Sequence, residues 1–207
     1  MHYEILDEHR KNILPLLAIW KDRFYLAGGT ALALHFGHRD SIDFDFFTKN
    51  EFDENKLISE INKVFDGHKV QIIQIENQTV TAVIDHNIKL SFFYYEYKMI
   101  GEYVSDQYFN LASVEDIACM KLSAICSRSV SKDYIDLYFI FKTFNLSDAL
   151  DKCKIKYPNI DISVILKSII YFDDIELEPI KMILEKDLTM DKVKRFLLLK
   201  TKNITNF

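Results

Sequence analysis

The chain has 207 residues and a formal net charge of −5, with 49% hydrophobic and 28% charged residues, which describes a globular protein with material for a sizeable core. It contains no run of about 18 apolar residues, so no membrane span is expected, and the polar opening MHYEILDEHRKN lacks the apolar stretch of a secretory leader. The acidic balance speaks against a generally basic nucleic-acid binder, although Lys181, Lys186, Lys192, Lys194, Arg195, Lys200 and Lys202 leave room for a local basic face near the end.

Residues 5–20 place Ile13, Leu16, Leu17 and Trp20 at helical spacing, with Pro15 marking a kink or a first turn. Residues 24–47 read FYLAGGTALALHFGHRDSIDFDFF. The spacing predicts a strand at 24–27, a Gly28-Gly29-Thr30 turn, an apolar helix at 31–36, a polar turn at 37–41 and a second strand at 42–47. Asp53 is an N-cap for a helix over 54–65, whose buried face carries Leu57, Ile58, Ile61 and Val64. Strands are predicted at 69–75, 78–85 and 88–95, the last two joined by a tight turn at Asp85-His86-Asn87. With the two earlier strands they suggest a mixed sheet of about five strands, with helices completing an α+β fold.

Residues 101–110 read as loop. Ser113 to Asp116 has the spacing of a capping box that opens a helix over 114–127, and another helix opens at Lys132. Short amphipathic helices are expected at 147–156, 161–171, 178–186 and 189–200, jointed at Pro158 and Asp173-Asp174. The expected organisation is an α/β core over 1–110 and a helical subdomain over 111–207. Cys119, Cys126 and Cys153 are odd in number and lack metal spacing, and they read as core thiols of a reducing compartment, the cytoplasm.

The chemistry concentrates in residues 24–47. Asp43 and Asp45 stand two apart on a strand, so both carboxylates project from one face while Phe44 and Phe46 point into the core. Two like charges side by side make sense with a cation between them. A glycine turn opening a helix offers backbone N–H groups to an anion. Each feature alone fits an ordinary turn or a solvated edge; together they describe a site for a metal-bound nucleoside triphosphate.

Gly-Gly-Thr followed by Asp-x-Asp resembles the nucleotidyltransferase fold of the DNA polymerase β type. The fuller string GGTALALHFGHRDSIDFDFF resembles the AbiEii/AbiGii toxin family of nucleotidyltransferases, some of which serve in toxin–antitoxin systems. The resemblance continues into DIACMKLSAICSRSVSKDYIDLYFI, where the family carries a lysine on one helix and a basic–acid–x–x–acid string on the next. It implies an NTP as substrate, Mg²⁺ or Mn²⁺ as cofactor, RNA such as the tRNA 3′ end as acceptor, and a cognate antitoxin as partner.

On that basis Gly28, Gly29, Thr30 and Arg39 are assigned to the nucleotide, and Asp43 and Asp45 to metal and catalysis. Met120, Leu122 and Ile125 take a buried face and leave Lys121 for the cleft, where it would neutralise departing pyrophosphate. Asp133 is a general base or an orienter of the acceptor hydroxyl; its place in a first turn also favours it electrostatically. Asp136 is expected to be structural, supporting Lys132 or Arg128. His35 reads as a packed histidine, and His38 is undecided. The wider superfamily adds a third carboxylate from a neighbouring strand, whereas the stretch IKLSFF places Ser91 there, with Glu96 five residues on. This favours a single cation completed by phosphate oxygens and water. Two other functions stay open: nucleotidyl transfer to a protein or small molecule, which the acidic charge favours over RNA, and nucleotide binding with little turnover.

Overall fold

The computed structural model describes residues 1–85, 87–202 and 204. Seven described strands form one mixed sheet in the order β3-β4-β5-β2-β1-β7-β6. They are β1 (Tyr25–Ala27), β2 (Asp43–Thr48), β3 (Val70–Glu76), β4 (Thr79–Ile84), β5 (Ile88–Tyr94), β6 (Val104–Ser105) and β7 (Asn110–Leu111). The five strands expected from periodicity are present. The additional β6 and β7 lie in the stretch read as loop, where two residues each are too few to show a period of two. The β4–β5 pairing is antiparallel, as the predicted turn requires; within that turn, His86 lies outside the described residues.

The helices are α1 (Glu8–Leu17), α2 (Gly28–Phe36), α3 (Glu54–Val64), α4 (Val114–Ala124), α5 (Ser131–Thr143), α6 (Leu146–Lys156), α7 (Ile162–Ile170) and α8 (Met190–Lys202). Caps explain several starts. Asp53 accepts from the Lys56 N–H at 3.0 Å, and Ser113 accepts from the Asp116 N–H at 3.0 Å. The Asp116 carboxylate turns back to the Ser113 hydroxyl, to the Ile100 and Gly101 N–H groups and to the buried Lys156 ammonium, tying α6 to the loop before α4. Pro15 sits inside α1, which is flanked by short 3₁₀ turns.

One face of the sheet is core. Phe44 and Phe46 of β2 and Leu90 and Phe92 of β5 are fully buried there. Trp20 packs against Phe46, Phe65 and Phe92 at centroid distances of 6.5, 6.3 and 5.0 Å. The other face carries Asp43, Asp45 and Phe47, each half-buried. Helices α4 and α5 pack on α2, and α8 packs on α5 and α7, so residues from both halves of the chain share one buried cluster.

The helix expected at 178–186 is not formed. Pro179 has no N–H and pushes Glu178 toward extended backbone, and this segment finds its hydrogen bonds elsewhere. Around Val130, the Ser131 N–H donates to the Glu176 carbonyl and the Glu176 N–H donates to the Ser129 carbonyl, and Met182 bridges Arg39, with Ile183 N–H donating to the His38 carbonyl at 2.9 Å. The segment is thus an extended strap across the start of α5 and the turn before β2. The cysteines also differ from expectation: Cys119 and Cys153 are buried, while Cys126, at the end of α4, is exposed.

Candidate active site

Three rungs on the open face of the sheet set the geometry. Asp43 lies across from Lys89, and Asp45 lies between Ala27 and Ser91. Phe47 lies between Tyr25 and Phe93. Arg10, buried on α1, fixes the first rung by donating to the Ile42 carbonyl and the Asn87 carbonyl, both at 2.8 Å. These carbonyls immediately precede β2 and β5, so one guanidinium aligns the starts of both strands.

The glycine turn sits directly beside the carboxylates. Gly28 has φ +72°, and a Cβ there would lie 3.0 Å from Asp45 Oδ2. A Cβ on Gly29 would lie 2.6 Å from Arg39 Nη2. Glycine at 28 permits the left-handed start of α2, and glycine at 29 lets Arg39 pass. The Thr30 hydroxyl is turned inward, donating to the Asp43 carbonyl and pairing with the Ser41 hydroxyl at 2.7 Å.

Arg39 is buried, and its fork faces the protein: Nε and Nη2 donate to Asp136 at 2.8 and 2.9 Å, and Nη1 donates to the Asp40 carbonyl. Asp136 therefore pairs with Arg39, with His38 Nε2 at 2.9 Å and with Lys121 at 2.6 Å, instead of with Lys132 or Arg128 as expected. Lys132 pairs with Glu178 of the strap. Lys121 is not free in the cleft. It is buried between Asp133, at 2.7 Å, and Asp136. Asp133 is fully buried and also accepts from Arg128 Nε at 2.8 Å, the Arg128 side chain being half-exposed. A cavity of about 520 Å³ opens beside Arg128, lined also by Ser129, Tyr134, Ser168, Tyr171 and Glu176.

Electrostatics separate the acids into two kinds. Burial, and then the neighbouring Asp43 charge, raise the Asp45 carboxyl above its ordinary value; Lys89, Lys121 and Arg128 pull in the other direction and do not cancel the effect. Burial would also raise Asp133 and Asp136, but there the adjacent cations win. Lys121 and Arg128 hold Asp133 below the usual range, and Arg39 and Lys121 hold Asp136 well below it. Burial pushes the His38 imidazole down despite its bond to Asp136, and its Nδ1 has no partner among the described residues. A neutral ring that donates from Nε2 accounts for both facts. His35 is packed similarly, its Nε2 at 2.8 Å from the Ala112 carbonyl.

Lys89 and Arg10 are the residues that sequence reasoning missed. Lys89 makes no ion pair with any other described residue, yet it faces the Asp43–Asp45 pair from the next strand. The signal was available, because the alternation that puts Asp43 and Asp45 on one face also puts Lys89 and Ser91 on one face. Ser91 is buried directly across from Asp45. Glu96 lies past the end of β5 and is exposed. Among the described residues, no group of three or more His, Cys, Asp or Glu converges as a metal cage.

The model of the family described as nucleotidyl transferase AbiEii toxin, type IV toxin–antitoxin system, matches residues 16–199. An uncharacterised protein from Aquifex aeolicus is 41% identical over 157 residues, which span 73% of this chain and 74% of that protein. The nucleotidyltransferase toxin MenT4 from Mycobacterium tuberculosis superposes with a TM-score of 0.65 at 12% identity, over 95% of this chain and 82% of that one. A Helicobacter pylori protein described as a candidate nucleotidyltransferase superposes with a TM-score of 0.59 at 21% identity, over 96% of each chain. At these identities the two structural likenesses show the fold, which is that of the nucleotidyltransferases. The match over residues 16–199 goes further: this chain is a nucleotidyltransferase and belongs to the AbiEii toxin family.

Proposed function

We propose that the chain transfers a nucleoside monophosphate from an NTP to a hydroxyl of an RNA acceptor such as the tRNA 3′ end, as a cytoplasmic toxin restrained by a cognate antitoxin. The observation that carries the nucleotide site is the contact between the Gly28 turn and the Asp43–Asp45 face, which puts an anion cradle against two carboxylates that have no ion-pair partner among the described residues. The donor set fits a divalent cation, Mg²⁺ or Mn²⁺. Asp45 is raised by burial and by its neighbour, a strain that a cation relieves. When bound at Asp43 and Asp45, such a cation would neutralise phosphate charge while the acceptor oxygen bonds to the α-phosphorus, its proton passes to solvent and the bond to pyrophosphate breaks.

The protein's own part is positioning and charge. The backbone at Gly28 and Gly29 receives the phosphates, and Lys89 reaches them from β5. Arg128 and Lys121 supply positive potential from the helical side. Asp133, held below the usual carboxylate range, is a weak base, and its role here is to orient Lys121 and Arg128. Arg39 acts through Asp136 and through its packing on Gly29, instead of gripping phosphate with its fork. The RNA acceptor and the antitoxin rest on the family alone. A second function, nucleotide binding with little turnover, is favoured by Ser91, which removes a third carboxylate from the rung of Asp45.

The test is incorporation of each α-³²P NTP, with Mg²⁺, into total RNA and into extract protein, beside an Asp43→Ala/Asp45→Ala double variant. Label entering RNA with the wild type only is the expected result. Label entering protein would move the acceptor to that class. Absence of label with retained Mg²⁺-dependent NTP binding would establish the binding module.

A further inference from the structure

The third rung of the open face is aromatic. Tyr25, Phe47 and Phe93 stand side by side on β1, β2 and β5, with ring centroids 5.9 and 5.0 Å apart and planes inclined by 26° and 27°. One end of this column is closed, because Tyr25 is buried and Tyr103 leans on it at 5.3 Å. The other end is open. Phe93 is half-buried, and the residue across from it on β4 is Thr79, followed on the same face by Thr81 across from Ser91. Short hydroxyl side chains there leave the outer face of the Phe93 ring uncovered from that side.

The position of the column relative to the site is specific. In the β1–β2 pairing, Ala27 faces Asp45 and Tyr25 faces Phe47, so the aromatic rung lies beyond Asp45 on the side away from the Gly28 turn. Same-face residues on a strand are roughly 6.6–6.8 Å apart along it. A ribose bridges a gap of that order between its 5′-phosphate and its base. The order along the face is then anion cradle, carboxylate pair, small buried serine and half-buried aromatic ring, which matches the order of parts in a nucleoside triphosphate.

We infer that the nucleobase of the incoming NTP stacks on the outer face of Phe93 as the next member of the Tyr25–Phe47–Phe93 column, with its ribose over Ser91. The inference rests on the nucleotide site proposed above and adds the residue that holds the base. Every base has a π-face, so stacking gives affinity for all four NTPs; the hydroxyl of half-buried Thr79, across from Phe93, lies where a base edge passes and is placed to discriminate among them.

The experiment is calorimetric titration, with Mg²⁺, of wild type, Phe93→Ala, Phe93→Leu and Phe93→Trp, using each NTP and inorganic tripolyphosphate as probes. Thermal melting of each variant verifies folding. Loss of one base–aromatic stack should weaken NTP binding by about 5- to 100-fold in Phe93→Ala and Phe93→Leu. Phe93→Trp should restore it, and tripolyphosphate, which has no base, should bind all four proteins alike. NTP affinity unchanged within about twofold in Phe93→Ala, or full affinity in Phe93→Leu, would overturn the inference. Equal weakening of NTP and tripolyphosphate would also overturn it, because the ring would then be supporting the phosphate site. A wild type that binds tripolyphosphate and NTP equally well leaves the nucleotide site standing and removes the base shelf. Binding of neither removes the site and the shelf together.

Discussion

The clearest energetic commitment in the molecule is Asp136, whose replacement by alanine should unfold the protein far more easily. Its side chain is fully buried and accepts from Arg39, His38 and Lys121. In Asp136→Ala, Lys121 keeps Asp133 at 2.7 Å, but Arg39 loses both bonds of its fork and retains only the Asp40 carbonyl. A buried guanidinium without a counter-ion is the costly product. Removing one partner from a buried pair costs about 3–5 kcal/mol. For a chain of this size that is a fall in Tm of about 6–20 °C. Equilibrium urea unfolding at neutral pH measures it, and Asp136→Asn, which keeps the shape but not the charge, should fall between the variant and wild type. The pH dependence supplies an internal control. The folded-state carboxyl is held well below the ordinary value, so its contribution is complete above the unfolded value and is lost as pH falls toward the folded one. The gap between wild type and Asp136→Ala should therefore be constant from neutral pH to about pH 5 and narrow below about pH 4. A loss under about 1 kcal/mol, the scale of an exposed ion pair, or a gap that widens on acidification, would refute the reasoning.

Gly28→Ala should cost about 1–2 kcal/mol by forcing a left-handed conformation on a residue with a Cβ. It should also lower nucleotidyl transfer, because that Cβ would sit 3.0 Å from Asp45 Oδ2; unchanged urea midpoint and unchanged incorporation of label would refute this. Lys89→Met should weaken NTP binding by about three- to tenfold without loss of fold, a charge contact from a half-buried lysine being worth little more, and calorimetry with melting curves checks both halves. The same variant should raise the Asp45 carboxyl further, since Lys89 is one of the cations that draw it down, and carboxyl titration by NMR would read that shift.

What the sequence showed and what it hid follow from the range of the interactions. The strand with Asp43 and Asp45, the N-caps Asp53 and Ser113, and the Gly28 turn are local, and local chemistry is legible over a few residues. The partner of Arg39 is 97 positions away on α5. A fork-shaped cation between a glycine turn and an acid strand looks from sequence like a phosphate ligand, and only the packing of α5 against α2 shows the carboxylate that takes it first. The strap over 171–189 was hidden for the same reason. Its apolar spacing imitates a helix, but its hydrogen-bond partners at His38–Asp40 and Ser129–Ser131 are set by tertiary placement. Lys89 is the opposite case, a local feature whose face follows from the same alternation as Ser91, but a single lysine on a strand carries no motif of its own.

The charge balance of the cleft gives that serine a physical sense. Asp133 and Asp136 are held by Lys121, Arg39 and the half-exposed Arg128, one cation more than the two acids, so the groups of the site left without an ion-pair partner among the described residues are Asp43, Asp45 and Lys89. This trio carries one net negative charge. On the mechanism proposed above, a single divalent cation turns it into one net positive charge, the sign that receives phosphate oxygens. A third carboxylate in place of Ser91, buried across from Asp45, would add a like charge in a desolvated position and would need a second cation to offset it. The same reasoning removes the apparent conflict between an acidic chain and a polyanionic substrate. The net charge of −5 is a sum over the whole chain, whereas triphosphate is met within a Debye length of about 8–10 Å, where only the local balance counts.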